Sequence, residues 1–352
     1  MSRFFSSKYK SLKAYVTSEQ PRDKKYIKLN TNESPYPPSE AVTKAVEKEI
    51  GLLQLYSDPE TKALNAAIAS LWGLKAEQIV STNGSDEALN FVFMTFCDKD
   101  HPIAFPDLTY GFYSVFAQLN DVEYKEIPLK DDFSIDYKDY CGIGMNVVIA
   151  NPNAPTGLVM PLWQIEEIVK TNPDNVVVID EAYIDYGGQS ATSLIDKYDN
   201  LIVIQTFSKS RSMAGARLGV AASNTELIKE LNTIRFSTNP YNVNRMTAAC
   251  GIAAIEDNGY YMDNVKKIIN TRGIVKAELE KLGFEVLESH TNFVFARTDR
   301  IEGEKLYLGL KDRGVLVRYF SKERIKDYNR ITIGTPEEME RFIEAVKDVL
   351  GE

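Results

Sequence analysis

Six short apolar runs limit this chain more than any other feature: QIVSTNG (78–84), PIAFPD (102–107), MNVVIANP (145–152), NVVVIDEAY (175–183), LIVIQTFS (201–208) and ARLGVAAS (216–223). Several are continuously apolar rather than alternating, which is the pattern of strands covered on both faces. Helical patterns lie between them, at 85–97, 110–120 and 162–170. Strands that alternate with helices in one sheet need right-handed crossovers. The expected fold is α/β, a large domain whose mostly parallel central sheet is sandwiched by helices. After residue 245 the texture changes to a long helical pattern broken near Asn258-Gly259. Short strand candidates follow at 284–297, 314–319 and 330–335, then an amphipathic helix from Glu337 to Leu350. The expected organisation is an N-terminal segment (1–30) packing on a smaller C-terminal α+β domain (246–352), with the large domain (31–245) between them.

Charge and composition narrow the partners. With 41 basic against 50 acidic residues the net charge is −9, so no basic surface for nucleic acid or an acidic membrane is expected. A small anion needs only a few local cations and stays open. Cys97, Cys141 and Cys250 are odd in number and widely spaced; neither a disulfide framework nor a metal site reads from them, and a reducing cytoplasm is the expected location. His101 and His290 are the only histidines. No metal site or Ser-His-Asp triad is therefore expected, and acid–base chemistry falls to Lys, Tyr and carboxylates. The N-terminus carries basic residues without the apolar stretch of a signal peptide, and no run approaches the ~18 residues of a membrane span.

The polar residues fall where the strands end, which is where open α/β sheets bind ligands. STNGSDEAL (81–89) reads as strand, glycine and helix start, a turn that offers backbone N–H groups to a phosphate; an ordinary capped helix looks the same. NPNAPTG (151–157) is a rigid loop projecting Asn side chains, or simply a tight turn. Asp180 follows four apolar residues, where a carboxylate is costly unless it meets a cation or hydrogen bonds. In TFSKSRSMAGARLG (206–219), Lys209 follows the apolar run and Arg217 stands eight residues later. A lone Ser-Lys turn would be solvated. An amine at a buried strand end, near other cations, loses its proton more easily and becomes a nucleophile. A phosphate turn, a buried carboxylate and a reactive amine together match the needs of pyridoxal 5′-phosphate.

From about Tyr15 to the last helix the chain resembles the fold-type I pyridoxal-phosphate enzymes, and closely the histidinol-phosphate aminotransferase family. The resemblance rests on LNTNESPYPPS (29–39), LYSDPE (55–60), NGSDEAL (83–89), TYGFY (109–113), NPNAPTG, DEAYIDY (180–186), the Lys209 stretch, NPYNVN (239–244), TNFVFAR (291–297), GVLVR (314–318) and RITIGT (330–335). It implies that Lys209 anchors the cofactor covalently and shuttles the substrate proton, that Asp180 pairs with the ring nitrogen and that Tyr183 bonds the ring oxygen. It also implies that Tyr110 stacks on the ring, and that Gly84, Ser85, Asp86, Thr206, Ser208 and Arg217 hold the phosphate. Tyr56 would reach that phosphate from a neighbouring subunit, making a homodimer. On the substrate side the resemblance implies Arg330 as the anion clamp, with Arg318 and Tyr15 nearby, Asn32 and Glu33 lining the mouth and Glu33 reaching an imidazole.

One position departs from the pattern. Related enzymes read Asn-Pro-Thr-Gly, with that Asn on the ring oxygen, and here the residue before Pro155 is Ala154. Asn153, one residue earlier, or a water is the expected replacement, sharing the contact with Tyr183. The implied reaction is transfer of an amino group from L-histidinol phosphate, an amino phosphate, to 2-oxoglutarate. An aromatic amino donor, or an amino-phosphate decarboxylase or lyase on the same scaffold, remains open.

Overall fold

The computed structural model describes residues 2–10 and 12–352. The chain enters with β1 (Ile27–Lys28), α1 (Glu40–Ile50) and α2 (Lys62–Trp72), then runs β2 (Ile79–Thr82), α3 (Ser85–Phe96), β3 (Ile103–Pro106), α4 (Tyr113–Asn120), β4 (Tyr124–Ile127), β5 (Asn146–Ala150), α5 (Leu162–Thr171), β6 (Val177–Asp180), β7 (Leu201–Thr206) and β8 (Gly219–Ala222). It continues as α6 (Thr225–Thr238), α7 (Arg245–Glu256), α8 (Asn258–Lys281), β9 (Glu285–Val286), β10 (Phe293–Arg297), α9 (Gly303–Asp312), β11 (Val315–Leu316), β12 (Arg318–Tyr319), β13 (Asn329–Thr332) and α10 (Pro336–Leu350).

The seven-stranded sheet has the order β2-β8-β7-β6-β5-β3-β4. Its strands are parallel from β4 through β7. Because β8 is antiparallel to both β7 and β2, it alone runs against the rest. All six apolar runs became strands of this sheet, so the mostly parallel α/β expectation holds. β4 was not expected: its sequence YKEI is mostly exposed at the sheet edge and carries no apolar run.

Strand alternation divides the sheet's side chains between two cores. Val147, Ile149, Val177 and Ile179 face α2, α5 and α7 through Leu64, Ile68, Ile165, Ile168 and Ala254. Val148, Val178, Ile202 and Ile204 face α3, α4 and α6 through Leu89, Val92, Phe116, Ile228 and Leu231. This two-sided cover is why the strands carry no polar face. α7 therefore packs with the large sheet and against α1 and α2, although it begins where the sequence texture changes. A further core gathers Ile27, Leu29, Val265, Ile268, Phe293, Leu306, Leu310, Phe342 and Val346 around the four-stranded sheet β12-β13-β10-β9. β1 pairs in parallel with β11, which ties the N-terminal segment to this second core. Among the described residues no helix is long and apolar enough to cross a membrane.

Candidate active site

The carboxyl ends of β2, β5, β6 and β7 open on one cavity of about 290 Å³, lined among others by Ser85, Asp86, Tyr110, Ala154, Asp180, Tyr183, Thr206, Ser208, Lys209 and Arg217. A second cavity of about 360 Å³ shares Tyr110, Ala154, Tyr183, Lys209 and Arg217 with the first, and adds Tyr15, Asn32, Arg318 and Arg330. Two connected chambers thus share one lysine.

The antiparallel pairing of β7 with β8 aligns Thr206 with Gly219, and residues 207–218 form the connection that carries Lys209 and Arg217. Gly219 also pairs with Thr82 of β2. A Cβ at Gly219 would lie 2.2 Å from both Gly84 C and Ser85 N, so only glycine lets the 84–85 turn settle on the sheet. Gly84 has φ +78°, and a Cβ there would lie 2.6 Å from Arg217 Nη2. The two glycines bring the start of α3 against the arginine.

Lys209 Nζ donates to the Thr31 carbonyl at 3.1 Å. Burial, with the Arg330 charge behind it, pulls the amine down to about 8. Asp180 is 5% exposed. Its Oδ2 accepts from Tyr113 Oη at 2.8 Å, while Oδ1 has no partner among the described residues. Burial pushes this carboxyl up to about 6 against the opposing Tyr113 hydrogen bond. A buried carboxylate oxygen with no donor asks for one from a bound group.

Asp86 accepts from Tyr110 Oη at 2.7 Å and from Arg217 Nη2 at 3.1 Å. Its carboxylate therefore orients the arginine; toward a phosphate, Ser85 and Asp86 can offer only N–H groups and the Ser85 hydroxyl. No side chain caps α3 among the described residues, which leaves its first-turn N–H groups free of a side-chain acceptor. Thr206 and Ser208 are buried and joined through their hydroxyls at 2.9 Å on the same wall.

The second chamber is built for anions. Arg318 and Arg330 stand directly opposite each other on β12 and β13, and like charges in that register repel unless an anion lies between them. Arg330 Nη2 donates to the Asn30 carbonyl at 3.1 Å, and its buried Nε has no partner among the described residues. Tyr15 lies beside them, its ring 4.5 Å from that of Phe112 and 6.4 Å from that of Tyr110.

Two expectations change, those for Asn153 and Asn32. Asn153 does not reach either cavity: its amide nitrogen donates to the Leu108 carbonyl (2.9 Å) and Thr156 Oγ1 (3.1 Å), and its oxygen accepts from Thr109 (2.8 Å). Both donors are committed, so it cannot replace the missing Asn at Ala154. Asn32 lines the second cavity, yet its amide is held by Tyr183 and Thr332 rather than turned to a substrate. Glu33 lines the first cavity; burial raises its carboxyl, but hydrogen bonds from Lys28 (2.7 Å) and Thr31 (2.7 Å) outweigh that and hold it below the usual range. Tyr56 lines neither cavity. It is 79% exposed and stacked on Tyr241 at 4.4 Å. Tyr113 was not singled out; it opens α4 just after Tyr110, and the two rings meet edge-on at 5.6 Å. Among the described residues no group of His, Cys, Asp and Glu could hold a metal ion.

Comparison with known proteins gives this geometry its relatives. The family model described as Aminotransferase class I and II matches residues 24–346. A histidinol-phosphate aminotransferase of Brachyspira hyodysenteriae is 52% identical over 352 residues, covering 99% of each chain. One of Clostridium beijerinckii is 48% identical, covering 100% of this chain and 98% of the relative. The crystal structure of histidinol-phosphate aminotransferase from Sinorhizobium meliloti in complex with pyridoxal 5′-phosphate superposes with a TM-score of 0.90 at 25% identity, covering 100% of this chain and 98% of that one.

Proposed function

We propose, for a chain that belongs to the aminotransferase class I and II family, the transfer of the amino group of L-histidinol phosphate to 2-oxoglutarate, a step of histidine biosynthesis. The enzyme is a pyridoxal-phosphate-dependent transaminase acting on small molecules. The observation that carries the reading is a half-buried amine shared by two chambers, with an unpartnered carboxylate oxygen in one and two opposed arginines in the other. The first chamber fits the cofactor: the orphaned Asp180 Oδ1 suits a protonated ring nitrogen, and Arg217 with the start of α3 suits a phosphate.

When bound, pyridoxal 5′-phosphate supplies the carbonyl that takes the amino group and the ring that draws electrons from the substrate's α-carbon. Lys209 Nζ would be the covalent anchor for the cofactor and the base that moves the substrate's α-proton. Asp180 would hold the proton on the ring nitrogen. Tyr183 would donate to the ring oxygen, and Tyr110 would cover the ring face. Ser85, Asp86, Thr206, Ser208 and Arg217 would grip the phosphate, with Asp86 acting through its backbone and through the orientation of Arg217. Arg330 and Arg318 bind the phosphate ester of one substrate and a carboxylate of the other, so one site serves both half-reactions.

The homodimer belongs to the same proposal. Ile50, Leu53, Leu55, Tyr56, Phe236 and Tyr241 are all more than 40% exposed, and such a band of apolar side chains suits a second copy. Tyr56 would then reach the phosphate of the partner's site. The cytoplasm is the proposed location. Adding L-histidinol phosphate to the cofactor-loaded protein should bleach the visible cofactor band without 2-oxoglutarate, and the keto acid should restore it. A band that responds to phenylalanine and not to histidinol phosphate would move the reading to an aromatic amino donor.

A further inference from the structure

Ala154 leaves Tyr183 as the side chain facing the cofactor's ring oxygen, and a tyrosine hydroxyl can point its proton either way. The hydrogen bonds behind the tyrosine decide the direction. Asn32 is 1% exposed with φ +56°, a left-handed conformation that Asn tolerates better than most residues. Its backbone N–H donates to Thr332 Oγ1 at 3.0 Å. That hydroxyl therefore accepts from the backbone, and its own proton goes to Asn32 Oδ1, 2.9 Å away. With Oδ1 committed to accepting, the other end of the amide is the NH₂, which donates to Tyr183 Oη at 2.9 Å. Asn32 is the hydroxyl's one hydrogen-bond partner among the described residues. The Tyr183 oxygen accepts there, so its proton is left free to point into the cavity.

We infer that Thr332 and Asn32 form a one-way donor relay that aims the Tyr183 hydroxyl proton at the cofactor's ring oxygen, doing from behind the tyrosine the work left open by Ala154. Thr332 and Asn32 are positioning residues. Thr332 sits two residues after Arg330 on β13 and is 2% exposed, so one strand carries both the anion clamp and the origin of the relay. The inference rests on the cofactor reading and not on the identity of the amino donor.

The test is the pH midpoint of the bound cofactor's visible absorption. A hydrogen bond from Tyr183 steadies negative charge on the ring oxygen and draws it away from the nitrogen joining Lys209 to the cofactor. Without that bond the nitrogen keeps its proton to higher pH. Thr332→Val frees the Asn32 amide to turn, and the midpoint should rise by about half to one pH unit. Thr332→Ser should restore the parent value. Asn32→Asp tolerates the same backbone conformation but replaces the donor with an acceptor for the tyrosine proton, and should raise the midpoint independently of Thr332. In a Tyr183→Phe background, Thr332→Val should add nothing. Folded Thr332→Val or Asn32→Asp protein with an unshifted midpoint, or a shift that persists in the Tyr183→Phe background, overturns the relay. A parent protein that forms no visible band overturns the cofactor reading itself.

Discussion

Lys209 offers the sharpest pH prediction. Its ammonium is disfavoured first by burial and then by the Arg330 charge, with Arg217 adding to this and Glu33 and Asp86 opposing it. With the amine at about 8, roughly a tenth is neutral at pH 7, against roughly 0.04% for an ordinary lysine near 10.4, a gain of about 200-fold in nucleophile. Cofactor-stripped protein mixed rapidly with pyridoxal 5′-phosphate should therefore develop its visible absorption about fivefold faster at pH 8 than at pH 7 and level off above pH 9. The second ionisation of the cofactor's phosphate, near pH 6, lies below this window. Arg330→Leu removes the second cause, and the midpoint should move upward. A rate that climbs without a plateau through pH 10 would show an unperturbed amine and refute the assigned environment.

Arg330→Met should cost a charge-assisted contact of about 1.5–3 kcal/mol, read as a loss of about 10- to 150-fold in kcat/KM for histidinol phosphate; a change under twofold would remove Arg330 from the anion site. Gly219→Ala sets a Cβ 2.2 Å from the Gly84–Ser85 backbone, so a destabilisation of about 1–3 kcal/mol and weaker cofactor binding should appear together in thermal melts and cofactor titration. Asn153→Ala should lower stability by about 1–3 kcal/mol, because it strips partners from Thr109, Leu108 and Thr156, while leaving the pH midpoint of the cofactor band where it was. A shifted midpoint would return Asn153 to the cofactor.

The residues that sequence patterning exposed best are those whose burial breaks a rule. Asp180 closes a run of apolar residues and Lys209 follows another, and both cost too much to bury without a purpose. Buried strands advertise themselves by unbroken apolar runs. β4 escaped because an exposed edge strand needs none, and α7 was assigned by texture although its packing partners α1 and α2 lie nearly 200 residues earlier. Side-chain direction is the part that a linear pattern does not carry. Asn153 and Ala154 differ by one position, and the loop turns the first inward to Leu108 and Thr156 while the second faces the cavity. The cross-strand register that opposes Arg318 to Arg330, and the bonds from Thr332 through Asn32 to Tyr183, join segments about 150 and 300 residues apart or belong to pairings that only the folded sheet defines.

Nitrogen transfer tests the central claim most directly. Histidinol phosphate labelled with nitrogen-15 at its α-amino group, incubated with the loaded enzyme and 2-oxoglutarate, should yield labelled glutamate in one-to-one ratio with imidazole acetol phosphate, and Lys209→Ala should yield none. Unlabelled glutamate, or conversion of an amino phosphate with release of carbon dioxide and no need for the keto acid, would contradict amino transfer through this site.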